Sequence, residues 1–322
     1  MKNFSNITNQ SYDFHEKHQR NLIGYGSNPP YAHWPKNARL AIQFVLNYEE
    51  GAESHIIDGD QYSEKFLSDL IITDSYSNRH MSMESIYEYG SRVGFWRIHN
   101  EFQKRNLPLT IFGVSVALAR NNEVVKAIKK ANYDVVNHGL RWINYQTVDI
   151  ETERTHIQKS VQLYLDLFGK LPTGWYTGRD SPNTRHLLIE QGGFTYDSDY
   201  YGDDLPFWIS VNCKDGNSKK HLIIPYTLDC NDMRFFLPQG FNTAKHFFIY
   251  LKDTFDVLYE EGKIKPKLMS IGMHCRILGR PGKFIALKNF LDYIKNYQDI
   301  WICTRQQIAD HWINKCSLSF CK

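Results

Sequence analysis

Arg39-Leu-Ala-Ile-Gln-Phe-Val-Leu-Asn-Tyr-Glu-Glu-Gly51 is an apolar run that stops abruptly at two acids and a glycine. Its apolar part, residues 39–46, is short and rich in branched and aromatic side chains. That is the pattern of a strand buried on both faces, and it is too short for a buried helix. Similar runs recur at 109–116 (LTIFGVSV), 133–136, 173–176, 222–226, 267–273 (KLMSIGM) and 300–303.

Helical periodicity fills the spaces between these runs. Residues 121–131 begin at a good cap, Asn121 or Asn122. Residues 148–168 form an amphipathic helix stopped by Gly169 and Pro172. Further helices are expected at 182–191, ended by Gly192-Gly193, at 243–261, ended by Gly262, and at 285–297 and 305–313. Strand–helix alternation predicts an α/β domain with a mostly parallel sheet. No repeat, low-complexity tract or Pro/Gly linker divides it. We expect an N-terminal extension at 1–38, one domain at 39–316 and a tail at 317–322. Residues 52–101 interrupt the alternation and read as an insertion over one end of the sheet.

The chain has 322 residues, 42% of them hydrophobic, enough for a sizeable core. With 20 Tyr and 19 Phe, an aromatic core is the first expectation. The net charge of +3, without a dense Lys/Arg run, argues against nucleic acid as a partner. The apolar runs are too short to span a membrane, and residues 1–14 lack an apolar signal core. A cytoplasmic location is therefore expected. The six cysteines form no CxxC pair and are expected to be free thiols.

In parallel α/β folds chemistry gathers where strands end. The strand ends here carry Glu49 and Glu50, His138, Tyr176 and Arg179, the segment Asp229-Cys230-Asn231-Asp232, and His274-Cys275-Arg276. Two adjacent carboxylates can divide acid–base and binding work. A histidine at a strand end is a proton donor or acceptor near neutral pH. Arg179 and Arg276 could hold a carboxylate or an oxyanion. Taken singly, each has an ordinary surface or capping alternative; together they mark one face.

The order of these strand ends resembles the polysaccharide deacetylases (carbohydrate esterase family four). The resemblance implies a distorted (β/α)7 barrel. The family's Asp-Asp-Gly appears here as Glu49-Glu50-Gly51. Its His-Ser/Thr-x-x-His, which supplies two metal ligands, appears as His138-Gly139-Leu140-Arg141-Trp142. Its Arg-x-Pro loop is matched only loosely by Tyr176-Thr177-Gly178, and its catalytic histidine by His274. The departures matter. An indole N–H donates but cannot ligate a metal, so Trp142 removes one of the three protein ligands that zinc requires.

Long stretches, among them FVLNYEEGAE, NHGLRWINYQ, GWYTGRDSPNTR, IPYTLDCNDMRF and SIGMHCRILGRP, are similar to the metal-independent, deacetylase-like allantoinases of purine breakdown. That resemblance implies a hydrolase of cyclic amides that opens allantoin to allantoate without metal or other cofactor, in a homotetramer. Within it, Glu49 is expected to be the general base and His274 the general acid. Glu50, His138, Trp142, Tyr176, Arg179 and Asp229 are expected to bind substrate. The alternatives are a metal-dependent N-deacetylase of N-acetyl sugars on the same fold, and a catalytically silent binding protein.

Overall fold

The computed structural model describes residues 20–70, 73–213 and 216–316; the tail expected at 317–322 lies outside them. It divides into a unit of residues 1–30 and a unit of residues 31–322. In the first, the described part is a turn in which the Asn21 side chain accepts from the amides of Ile23 and Gly24. The second contains everything that follows. Residues 31–38, part of the expected extension, are tied to it by Trp34 Nε1, which donates to the Lys267 carbonyl at 2.8 Å, and by His311 against the Ala32 carbonyl.

Seven of the eight parallel strands form the continuous run of a nine-stranded sheet: β1 (Leu40–Tyr48), β2 (Thr110–Gly113), β3 (Asp134–Asn137), β4 (Gly174–Trp175), β5 (Tyr196–Asp197), β7 (Ser218–Ile223) and β8 (Lys267–His274). β6 (Phe207–Asn212) adds an antiparallel edge to β7, and β9 (Ile300–Cys303) pairs with the first half of β1. The order is β6-β7-β5-β4-β3-β2-β1-β8. The curled sheet almost closes: Asn231, past the end of β7, bridges to Gly272 of β8. This is the distorted (β/α)7 barrel that the strand ends imply. All nine residues of β1 are buried, as a central parallel strand should be. Phe44 of β1 packs edge-on against Phe102 and Phe290. A fully buried Phe contributes about 1.5–3 kcal/mol.

The sheet departs from the sequence reading in three places. Strand β5 has two residues, too few for a periodic signal, and β6 is an antiparallel edge strand that strand–helix alternation does not call for. β7 starts four residues before the expected 222. Residues 52–101 are not one insertion, because Met81–Tyr89 (α1), a π-helical turn Gly90–Gly94 and Phe95–Arg105 (α2) form the continuous crossover from β1 to β2. Only the loop up to residue 80 is extra.

The π-helical turn has a packing reason. A Cβ on Gly94 would lie 1.9 Å from the Cys275 carbonyl oxygen, and one on Gly90 2.3 Å from Glu50 Oε1. Small residues let this helix run against the ends of β1 and β8. π-bulges inside helices are frequent at functional sites.

A buried cation plugs the barrel interior. Arg305, at the start of the last described helix, Arg305–Lys315, is fully buried. Its guanidinium donates to Ser198 Oγ, Gln43 Oε1, Ser270 Oγ and the carbonyls of Ile224 and Pro225, all neutral acceptors from different strand segments.

Candidate active site

Strand register assembles the site. Tyr48, Gly113, Asn137, Trp175 and Asp197 lie in one row across five strands. The next residues along each strand, Glu49, His138 and Tyr176 among them, therefore emerge at one level. β1 and β8 pair with Asn47 opposite His274, which brings the last histidine beside the same carboxylate.

Glu49 is the hub. Its Oε1 is 3.4 Å from His138 Nε2 and 3.5 Å from His274 Nε2, and its Oε2 is 2.8 Å from Arg276 Nη1. The Arg276 contact is a close ion pair rather than an aligned hydrogen bond. Glu49 Oε2, both ring nitrogens of His138 and Arg276 Nη2 are buried without a well-formed hydrogen bond. Unsatisfied buried polar atoms are costly and rare. Gathered around one carboxylate, they mark a site built to receive a ligand's polar groups.

Burial pushes the Glu49 carboxyl up, but Arg276, His274 and His138 outweigh it and hold it well below the usual carboxylate range. Burial raises the neighbouring Glu50, against the pull of Arg276. Two adjacent carboxyls thus have environments that separate their protonation. Glu50 is bound down as well. Its Oε2 accepts from the Glu49 amide, and its Oε1 from the Arg276 amide at 3.1 Å.

His274 is oriented by Asp232. Its Nδ1 lies 2.6 Å from Asp232 Oδ1, while Asp232 Oδ2 accepts from the backbone amides of His274 and Leu278. A carboxylate on Nδ1 fixes the ring and leaves Nε2, the nitrogen toward Glu49, to exchange a proton. Burial lowers the His274 pKa, but Glu49 and Asp232 more than compensate and raise it to about 9. The imidazolium is therefore the resting form at neutral pH. It binds its proton more tightly folded than unfolded, so its contribution to stability is complete below about 6.5 and lost as pH rises through about 9. If His274 donates a proton in turnover, kcat/KM should fall on an alkaline limb near pH 9. Asp232→Asn should move that limb to lower pH, measured as a full pH–rate profile. An unmoved limb would contradict the role given to Asp232.

The other sequence candidates are placed unequally. His138 packs its ring 4.8 Å from that of Tyr176, whose hydroxyl is 3.1 Å from that of Tyr201. Trp142 is buried, with the Arg179 guanidinium 3.8 Å from its ring centroid and the Arg276 guanidinium at 5.0 Å. Arg179 also pairs with Glu64 at 3.2 Å, so it braces Trp142 rather than approaching Glu49. Asp229 departs furthest from expectation. It is exposed and bonded to Thr227 Oγ1 and the Tyr250 hydroxyl. The acid that reaches the histidine is Asp232, three residues on. Asn231 caps the turn Asp232–Phe236 and turns that carboxylate inward.

A cleft of about 360 Å³ reaches Glu50, with Glu53, His55, Tyr87, Arg92 and Arg120 among its walls. Glu49, His138 and His274 do not line it, so it is not the space in which those three meet.

Two of the family's three ligand positions are ill suited to a divalent metal. Of the family's ligand positions, Glu50 is engaged by two backbone amides, Trp142 has no lone pair to offer, and a guanidinium lies against both. Among the described residues no cluster of three His, Cys, Asp or Glu side chains is arranged to hold a metal ion.

The chain belongs to the polysaccharide deacetylase family. The family model for polysaccharide deacetylase matches residues 79–196. A Schizosaccharomyces pombe protein named for that family is 42% identical over 311 residues, 92% of this chain and 97% of its own. Among solved structures, PuuE allantoinase is 52% identical, with a TM-score of 0.89 over 92% of this chain and 98% of its own. A Pseudomonas aeruginosa PAO1 structure named as a polysaccharide deacetylase is 51% identical, with a TM-score of 0.89 over 92% of this chain and 99% of its own.

Proposed function

We propose that this chain is an allantoinase, a hydrolase that opens the hydantoin ring of allantoin to allantoate without a metal. The observation that carries the reading is the arrangement around Glu49: an ionised carboxylate against a protonated His274, with the Arg276 guanidinium against both Glu49 and Glu50. Likeness to PuuE allantoinase at 52% identity supports the choice of substrate.

An acetamide is a poor electrophile with a poor leaving group, and metal polarisation helps it react. The ring carbonyl of a hydantoin beside its imide-like nitrogen is more electrophilic, and the departing nitrogen belongs to a urea. Acid–base groups then suffice, each contributing roughly 10²–10⁴-fold. Glu49 takes a proton from water as the oxygen bonds to the ring carbonyl carbon. The C–N bond breaks, and His274 passes its Nε2 proton to the departing nitrogen. The nitrogens of His138 and Arg276 Nη2, which make no well-formed hydrogen bond, are the groups available to substrate oxygens, and Tyr176 and Trp142 form aromatic walls. Water is consumed and a carboxylate and a free ureido group result.

The test is a substrate panel read by mass spectrometry. Allantoin should gain the mass of one water, with no acetate released from N-acetylglucosamine oligomers. Acetate release with allantoin untouched would favour the family's deacetylase chemistry instead.

A further inference from the structure

We infer that the Arg276 guanidinium is a built-in cation that takes the place of the ion for which the family's motif residues are suited, and that it bars a divalent metal from the site. This builds on the metal-free reading above, but it concerns what excludes the metal rather than which amide is cleaved.

The side chain is held by its Nε, its Nη1 and the faces of two aromatic rings. Arg276 is 0% exposed. Its Nε donates to the Leu67 carbonyl at 2.9 Å, and its Cζ lies 4.2 Å from the Tyr87 ring centroid and 5.0 Å from that of Trp142. Nη1 is 2.8 Å from Glu49 Oε2 and 3.5 Å from Glu50 Oε1. The guanidinium thus touches both acids of the first motif and the aromatic residue at the end of the second. A planar, always-charged fork suits such a buried two-carboxylate position, where an ammonium would not.

Two further features keep it there. The peptide amide of the same residue holds Glu50 Oε1, so the carboxylate and the guanidinium are positioned by one another. Gly90 closes the space behind, since even a Cβ there would fall 2.3 Å from Glu50 Oε1. Glu50 is thus held by two backbone amides and crowded on the Gly90 side, and an incoming dication would face a fixed positive charge in a low-dielectric interior. Restoring the missing ligand alone should consequently fail to restore a metal site. Trp142→His supplies an imidazole but leaves the guanidinium in place.

The experiment is equilibrium dialysis of the chelator-treated full chain against Co²⁺, with the d–d absorption band as a coordination signature. It compares wild type, Trp142→His and Trp142→His/Arg276→Gln. Uptake by Trp142→His should stay at the wild-type level. It should rise toward one ion per chain, with a tetrahedral-type band, only in the double variant. Stoichiometric uptake by Trp142→His with Arg276 intact would overturn the inference. So would a folded double variant that takes up no more than the single one. Should the double variant fail to fold, Trp142→His decides alone, in either direction. Because the readout is metal uptake, a failure here leaves the cyclic-amide reading to its own substrate panel.

Discussion

Glu49→Gln should reduce allantoin turnover by roughly 10³-fold or more while leaving a folded protein, because one side chain loses two functions at once. A positioned general base contributes roughly 10²–10⁴-fold. The amide keeps the shape of the carboxylate but cannot accept the proton of the attacking water. It also withdraws the negative charge that helps hold His274 protonated up to about pH 9. The alkaline limb should therefore shift downward in whatever activity remains. The loss should appear in kcat rather than KM, since Glu49 acts on water and not on binding. Glu50→Gln should cost less, because Glu50 is bound to backbone amides and to Arg276 rather than poised beside the histidines. A Glu49→Gln variant within tenfold of wild type would place the base elsewhere.

Arg305→Leu should be the most destabilising single change in the barrel. The replacement strands two backbone carbonyls and three side-chain oxygens that now share one guanidinium. Each buried acceptor left without a donor costs about 1–3 kcal/mol, offset in part because burying the guanidinium itself carries a desolvation cost that leucine does not. For a chain of this size the melting temperature should drop on the order of 10 °C. Arg305→Lys should recover little, because an ammonium cannot reach acceptors spread over β1, β8 and the segments after β5 and β7. Thermal unfolding followed by circular dichroism reads both. A shift under 2 °C, which would correspond to about 1 kcal/mol or less, would mean the network is neutral to stability.

The sequence carried much of this arrangement, for a physical reason. Buried parallel strands are written as unbroken apolar runs, and the residues that follow them necessarily surface at one end. Glu49, Glu50, His138 and His274 could therefore be grouped before any contact was known, and the structure brings them together around Glu49. What failed was everything set by backbone geometry finer than a strand. Asp232 was not singled out beside Asp229, because what turns it toward His274 is a single 3-10 turn after Asn231, which carries no periodicity. β5, two residues long, makes its ladder with almost no side-chain pattern. The 81–105 crossover was hidden by its π-helical turn, whose extra residue shifts the apolar stripe out of phase. Arg276 stood out only as one of two strand-end arginines. Its burial against both carboxylates depends on the approach of Gly90 and Gly94, which no residue pattern near 276 foretells.

The most direct measurement is the initial rate of allantoate formation by protein freed of metal with a chelator and checked for residual metal by elemental analysis. Full turnover is expected in that state, with no increase when Zn²⁺ or Co²⁺ is returned. Turnover that vanishes on chelation and returns with the metal would contradict it, because Glu49 and His274 would then be working with a bound ion and not in its absence.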